Sequence, residues 1–399
     1  MRVLVLNCGS SSIKYKLYDM ETRKALAQGG IEKIGLPTSF LKLTAPSGEK
    51  VVIEHLFPDH TIGIEFIFDI LTKGEYACIS SLHDIDAVGH RVVHGGEKFN
   101  ASMLITPEVI DNIVACTDLA PLHNPANLLG IEAVSKIAPQ MPQVAVFDTA
   151  FHQTMPPKAY MYGLPYEYYQ KYAVRRYGFH GTSHRYVSRK ACEVLGMDYE
   201  HSRIVTAHIG NGGSLAAIKN GKCIDTTMGL TPLEGLLMGT RSGDIDAGAV
   251  VYIMEKEHLS PREISDLLNK KSGLMGVSGV SSDMRELVSA SEAGNARATL
   301  AMDMYHYRVK KYIGAFAAAM GGLDLLVLTG GIGENQVYAR AEIISGLEFL
   351  GIKVDHDANA RVHGGDTAVI TTADSTTKVL VLPTDEEWMI AYDTVNCVK

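Results

Sequence analysis

A four-residue pattern near the start of the chain, Asn7-Cys8-Gly9-Ser10, is answered half a chain later by Asn211-Gly212-Gly213-Ser214. Each copy follows an apolar run (Val3 to Leu6, Ile204 to Ile209) and precedes a second strand-like run (Ile13 to Tyr18, Leu215 to Ile218). The pattern is a strand, a Gly/Asn/Ser turn and a strand. One such tetrapeptide reads as an ordinary hairpin turn. Two of them, in matching surroundings, point to two related domains with a cleft between them. Glycine at the bend lets an anion approach the main chain, and N–H groups project from a rigid ribbon, so two facing hairpins suit a polyphosphate gripped from both sides.

A chain of 399 residues with 46% hydrophobic composition can bury a sizeable core and is expected to form two domains. The formal charge of −8 argues against a broad nucleic-acid or anionic-membrane surface, while local arginines can still meet a small anion. Six cysteines without a C-x-x-C pair argue against a disulfide framework or a cysteine zinc site, which makes the cytoplasm the default compartment. The opening MRVLVLNCGSSSIK has too short an apolar run for a signal peptide. The apolar stretch from Ile313 to Gly333 contains Asp324 and repeated glycines. It reads as a helix end, a Gly321-Gly322 stop and a buried strand Leu325 to Thr329, with no membrane span.

The first ~55 residues are β-rich, a helical pattern runs from Pro58 to Lys73, and strands near Asp86 to Val92 and Gln143 to Phe147 bracket helices. A loop-rich aromatic stretch, Thr149 to Phe179, marks the border between halves. Beyond the second hairpin, helical patterns cover Ala247 to Lys256, Pro261 to Lys270, Asp283 to Ala290, Ala293 to Met320 and Asp385 to Val398.

Polar clusters sit at the ends of these elements, where chemistry is usually placed. Leu325 to Thr329 runs into a Gly-rich loop, Gly330 to Asn335, which suggests a nucleotide. However, Gln336 occupies the place of the third dinucleotide-fingerprint glycine, and no G-x-x-x-x-G-K-[ST] occurs. His180 and His184 stand four apart, as zinc ligands on a helix do, yet the glutamate of H-E-x-x-H is missing and Gly181 disfavours a regular helix there. A histidine donating to an anion fits better than a zinc hydrolase. Ser10, Ser11 and Ser12 lie in a hairpin, outside any G-x-S-x-G elbow, and read as donors to phosphate. Arg91 ends a strand-like run and Arg241 sits among Gly239, Ser242 and Gly243; both have room to approach a ligand, and neither is expected to be needed for folding. Asp148 ends the apolar strand Val144 to Phe147, and Asp283 resembles a helix cap as much as a ligand.

Together these residues resemble the acetate kinases, a family of the acetate and sugar kinase, chaperone and actin superfamily, over essentially the full length. The motifs are N-x-G-S-S-S-x-K (Asn7 to Lys14), G-H-R-V-V-H-G-G (Gly89 to Gly96), P-L-H-N-P (Pro121 to Pro125), F-D-T-A-F-H (Phe147 to His152), Y-G-F-H-G-T-S-H (Tyr177 to His184) and H-I-G-N-G (His208 to Gly212). They continue with the Met228 to Asp244 block and G-G-I-G-E-N (Gly330 to Asn335). Cys8 replaces a common alanine, and Thr384-Asp385-Glu386-Glu387 stands where T-N-E-E is frequent.

The resemblance implies an α/β fold of duplicated actin-like (ribonuclease H-like) domains with an interdomain active-site cleft. Residues 1–150 with the terminal helix 385–399 would form the acetate and Mg²⁺ side, and 151–384 the nucleotide side. It implies reversible phosphoryl transfer from ATP to acetate, giving acetyl phosphate and ADP, with Mg²⁺ (or Mn²⁺), in a cytoplasmic homodimer without nucleic-acid or membrane partners. Arg91, Asp148, His180 and Arg241 would surround the transferred group, with Arg91 also binding acetate beside an acyl pocket of Val93, Leu122, Phe179 and Pro232. His208, Ile209, Gly210, Asn211 and Gly212 would contact phosphates. Asp283, Met284, Arg285, Gly331, Ile332, Gly333, Glu334 and Asn335 would hold the nucleotide, Lys14 would lie at the ATP side, and Asn7 with Glu386 would belong to the metal site. The acceptor is already ionised near neutral pH, so no general base is needed, and Asp148 reads as an orienting group although the family treats it as acid/base. A propionate or butyrate kinase, or a nonenzymatic actin-like ATP-binding protein, remain the alternatives.

Overall fold

The two strand-like runs of the first nineteen residues become a hairpin in the computed structural model, which describes every residue except 46 and 122. β1 (Arg2–Gly9) and β2 (Ser12–Asp19) pair antiparallel from Arg2↔Asp19 to Gly9↔Ser12, with Ser10 and Ser11 at the turn. β3 (Lys24–Glu32), β4 (Phe40–Thr44) and β5 (Lys50–Glu54) extend this meander on one side. On the other side β6 (Ala87–Val92) joins β1 in parallel and β8 (Gln143–Phe147) joins β6 in parallel, with the short β7 (Met103–Leu104) at the edge. β1 is buried on both faces. Leu4, Leu6 and Cys8 meet a core that includes Ile64, Ile67, Phe68 and Leu71 of the helix His60–Thr72, while Val3 and Val5 meet Ile390, Ala391 and Val395 of the last helix, Glu386–Val398. Gly89 of β6 permits that second approach, because a Cβ there would fall 2.8 Å from Ile390 Cγ2.

The second sheet repeats the plan. β9 (Arg203–Ile209) and β10 (Gly213–Lys219) form the hairpin, β11 (Lys222–Thr226) extends it, and β12 (Leu325–Thr329) followed by β14 (Lys378–Val381) lie parallel to β9, with β13 (Ala368–Val369) at the edge. The orders β3-β2-β1-β6-β8 and β11-β10-β9-β12-β14 have the same directions. This is a duplicated actin-like arrangement. Backbone contacts divide the chain into one unit of Met1–Phe151 with Asp385–Lys399 and another of His152–Thr384. In each unit the turn after the first strand and the ends of the parallel strands lie on one edge, the edge at which parallel sheets present ligand-binding loops.

Three stretches differ from expectation. The aromatic segment expected as loop contains the short helices Pro157–Tyr160 and Tyr166–Tyr172, where Tyr169 packs on Tyr160 and Tyr166 and the Arg175 guanidinium lies 3.5 Å from the Tyr160 ring centre. Proline at the first helical position supplies a fixed φ where no N–H partner is required. The Gly-rich segment Gly330–Asn335 forms a short helix directly after β12; Gly330 turns the chain there with φ 79°, and its N–H donates to Glu334 Oε1 at 2.9 Å. The long helix Ala296–Met320 starts later than the pattern suggests because Asn295 caps it, accepting from Arg297 and Ala298 N–H.

Candidate active site

In the first unit, Arg91 near the end of β6 and Asp148 just past β8 are brought together by the parallel pairing of those strands. Arg91 Nε donates to both carboxylate oxygens (3.0 and 3.1 Å) and Nη2 to Oδ2 (2.6 Å). Asp148 is 1% exposed, and its negative charge drives the Arg91 pKa further up. The loop beyond β6 is fastened from the helix Asn124–Ile137: Val93 N–H donates to Asn127 Oδ1, His94 N–H to Asn124 Oδ1, and Asn127 Nδ2 to the Cys8 carbonyl. Gly95 N–H donates to Thr149 Oγ1. One asparagine thus ties the Asn7 hairpin to the Arg91 loop. Val93 is buried; Leu122, its expected neighbour in the acyl pocket, lies outside the described residues.

Glu386, at the start of the last helix, shares the electrostatic field of this pair. Burial, opposed by Arg91 and reinforced by Asp148 and Glu387, pushes its pKa up to about 7. Asn7 and Lys14 are cross-strand partners on the first hairpin and line one groove of about 710 Å³ with Glu387, along the face of β1 to β5.

In the second unit, the turn Gly210–Gly212 edges a cavity of about 620 Å³. Its walls include Gly210 and Asn211 of the turn, Asp283, Met284 and Arg285, and Gly331, Ile332 and Asn335. Gly331 faces open space, so nothing of the protein occupies the place of a side chain there. Asp283 accepts from Arg285 N–H as a helix cap and also pairs with its guanidinium, which lowers the Asp283 pKa. Its two readings are therefore compatible. Other residues expected around the nucleotide stand behind the wall: Ile209 is wholly buried, Gly333 packs on Leu328, and Glu334 caps the turn at Gly330. Ser282 and Gln336 line the cavity without having been singled out by sequence; Gln336 is the residue whose presence spoils the dinucleotide fingerprint.

His180 precedes the helix Gly181–Leu195 in a left-handed conformation (φ 55°), so it projects from the helix start while His184 lies inside the helix. Its ring stacks on His208 at 4.4 Å, and His208 Nδ1 is hydrogen-bonded to Ser183 Oγ at 2.7 Å. Phe179 is buried beside it. Arg241 donates to the Pro232 carbonyl at 3.3 Å and lies against the second hairpin, where a Cβ on Gly212 would come within 3.7 Å of its Nη1. No carboxylate pairs with Arg241 among the described residues, and partial burial lowers its pKa. Gly239 donates its N–H to the Asn211 carbonyl, and a Cβ there would collide with the Asn211 side chain, so only glycine lets the Arg241 loop sit on the turn.

A model of the acetokinase family matches residues 2–392. The chain belongs to the acetokinase family. It is 65% identical over 399 residues to the acetate kinase of Bacteroides thetaiotaomicron, covering 100% of both chains. The crystal structure of Porphyromonas gingivalis acetate kinase superposes with a TM-score of 0.97 at 60% identity, covering 100% of each chain. A propionate kinase from Francisella tularensis superposes with a TM-score of 0.91 at 43% identity, covering 99% of each.

Sequence motifs had marked P-L-H-N-P without assigning Asn124 a task; the structure gives it one, since its side chain holds both the N–H and the carbonyl of His94. Asn127 and Thr149 carried no separate signal. Their partners are backbone groups distant in sequence. The oxygen donors available in the first unit, the Glu386 carboxylate and the Asn7 amide, are the hard ligands that Mg²⁺ prefers. A carboxylate whose pKa is raised by burial and by two acidic neighbours is one that a bound cation would stabilise in its charged form.

Proposed function

We propose that this chain catalyses reversible transfer of the γ-phosphoryl group of ATP to acetate, giving acetyl phosphate and ADP, and that it works in the cytoplasm as a homodimer. The observation that carries this reading is the full-length identity of 60% and above to acetate kinases. The arrangement of Arg91 supports it. Asp148 holds the guanidinium by Nε and Nη2, and no bond from Nη1 is present among the described residues, so a fixed cationic group remains for an anionic substrate.

In the reaction an acetate oxygen forms the new bond to the γ-phosphorus as the bond from phosphorus to the ADP oxygen breaks. Catalysis of this kind is mostly positioning and charge compensation. Arg91 binds acetate and the equatorial oxygens, Arg241 and His180 donate to the same oxygens, and Asp148 orients Arg91. The Gly210–Gly212 turn and the Asp283 and Gly331 walls hold the nucleotide, with Lys14 completing the phosphate environment. Asn7 and Glu386 would hold Mg²⁺, which when bound neutralises phosphate charge. Val93, Phe179 and Pro232 are the described residues assigned to the acetate methyl group.

A coupled assay for acetyl phosphate with ATP and a series of short carboxylic acids tests the proposal. Acetate is expected to give the highest kcat/KM, with propionate lower and butyrate poor. The 43%-identical propionate kinase makes the larger acid the serious rival. Higher kcat/KM for propionate would overturn the acetate assignment, and ATP binding without turnover of any acid would overturn the enzyme.

A further inference from the structure

His180 is the end of a buried polar chain that the mechanism above leaves unused. His184 Nδ1 is 2.7 Å from Thr206 Oγ1, and His184 Nε2 is 2.8 Å from Ser214 Oγ. The same Ser214 Oγ is 2.9 Å from His180 Nδ1. His184, Thr206 and Ser214 are all at 0% exposure, so bulk solvent does not reach them.

A serine hydroxyl has one proton. Between two imidazole nitrogens it must donate to one and accept from the other. His184 is neutral, because burial and the neighbouring His152 and His208 hold its pKa well below the usual histidine value. A neutral imidazole also donates on one side and accepts on the other. The chain therefore has two consistent senses. In the first, Thr206 donates to His184 Nδ1, His184 Nε2–H donates to Ser214, Ser214 donates to His180 Nδ1, and neutral His180 carries its proton on Nε2. In the second, every bond is reversed and neutral His180 is protonated on Nδ1.

Thr206 decides between them. In the second sense its hydroxyl only accepts, and its own proton has no acceptor among the described residues, since its side chain bonds to His184 alone. In the first sense it is a donor with a partner and forgoes only an acceptor site. An unmet buried donor is the rarer and costlier case.

We propose that Thr206, His184 and Ser214 form a directional relay that fixes His180 in the tautomer protonated on Nε2, which makes them positioning residues for the histidine that faces the phosphoryl group. The assignment of His180 to that group rests on the proposed function. The relay itself does not. The stack of His180 on His208 holds the ring plane, and the relay then selects which nitrogen presents a proton.

The test is nitrogen-15 NMR of the histidine side chains at neutral pH, with His180 assigned by its loss in His180→Gln, in wild type, Thr206→Val and Thr206→Ser. Thr206→Val has nearly the same shape and touches His184 without touching His180. The relay requires Nε2 protonated and Nδ1 bare in wild type, a mixture of tautomers in Thr206→Val, and the wild-type pattern in Thr206→Ser. Turnover in Thr206→Val should fall by ~10–100-fold, as for other partners that orient a functional histidine, with KM for ATP and acetate little changed. A wild-type His180 protonated on Nδ1 overturns the relay, as does an unchanged His180 spectrum in folded Thr206→Val. If Thr206→Val does not fold, the wild-type spectrum and Ser214→Ala still decide it. Full activity in His180→Gln would instead remove His180 from the mechanism, while the tautomer measurement would continue to decide the relay.

Discussion

Arg91 and Asp148 meet edge to edge, with Nε and Nη2 of the guanidinium both bonded to a carboxylate that is 1% exposed. The parallel pairing of β6 with β8 places them, and the pair defines how each should respond to substitution.

Removing the two candidate transition-state arginines should have the same effect on turnover and different effects on folding. Arg91→Ala and Arg241→Ala are each expected to lower kcat on the order of a thousandfold, as for arginines in other phosphoryl transferases. Arg91→Ala also strands a buried carboxylate, which costs about 3–5 kcal/mol, whereas Arg241 has no acidic partner to strand among the described residues. Thermal melts alongside kinetics separate the two. Sequence alone had suggested that folding survives both changes. Unchanged turnover in either folded variant removes that arginine from the mechanism.

Asp148→Asn should be severely impaired at every accessible pH, because an amide cannot hold both donors of Arg91 as a carboxylate does and no proton needs to be taken from an ionised acid. A pH–rate profile checks this. Recovery of activity with rising pH would favour a proton-acceptor role.

Gly331→Val puts a side chain into the open cavity beside the Gly210–Gly212 turn without demanding an unusual backbone, since Gly331 is not among the positive-φ residues. KM for ATP should rise by about tenfold or more, with KM for acetate little changed. Equal changes for both substrates would argue that the cavity is not the nucleotide site.

Val93→Ala should raise the propionate-to-acetate ratio of kcat/KM, within the ~10–200-fold range over which one methylene discriminates. The ratio in wild type and variant is the measurement. No change in a folded, active variant would show that Val93 does not line the acyl pocket.

His90 is buried in β6, hydrogen-bonded to Gln143 Oε1 at 2.8 Å, and burial lowers its pKa to about 4. A histidine depressed in the folded state binds its proton more readily when unfolded, so its neutral form contributes stability above its unfolded pKa near 6.5. That contribution declines from about pH 6.5 downward and is exhausted only below about pH 4, amounting to ~3 kcal/mol in all. Denaturant melts across this window should show the loss, and His90→Gln should show a shallower one. An identical slope in the variant assigns the acid sensitivity to other groups.

The amino-acid sequence by itself determined the elements and their duplication. Apolar runs, the Asn/Gly/Ser turns and the glycine stops are local signals, and they placed β2, β8 and the helix Pro261–Lys270 within a residue or two, whereas the Asn295 cap was not read and the helix Ala296–Met320 was expected from Ala293. The motifs also marked Arg91, Asp148, His180 and Arg241. What only the tertiary structure decided were the partners. Arg91 and Asp148 lie 57 positions apart, Asn127 and Cys8 lie 119 apart, and Ser214 joins two histidines 34 and 30 positions before it. Local spacing cannot specify such pairs, because which buried donor meets which acceptor depends on strand order and register across a sheet. Once β6 lies against β8, and β10 against β9, each buried polar group must find its partner within that geometry.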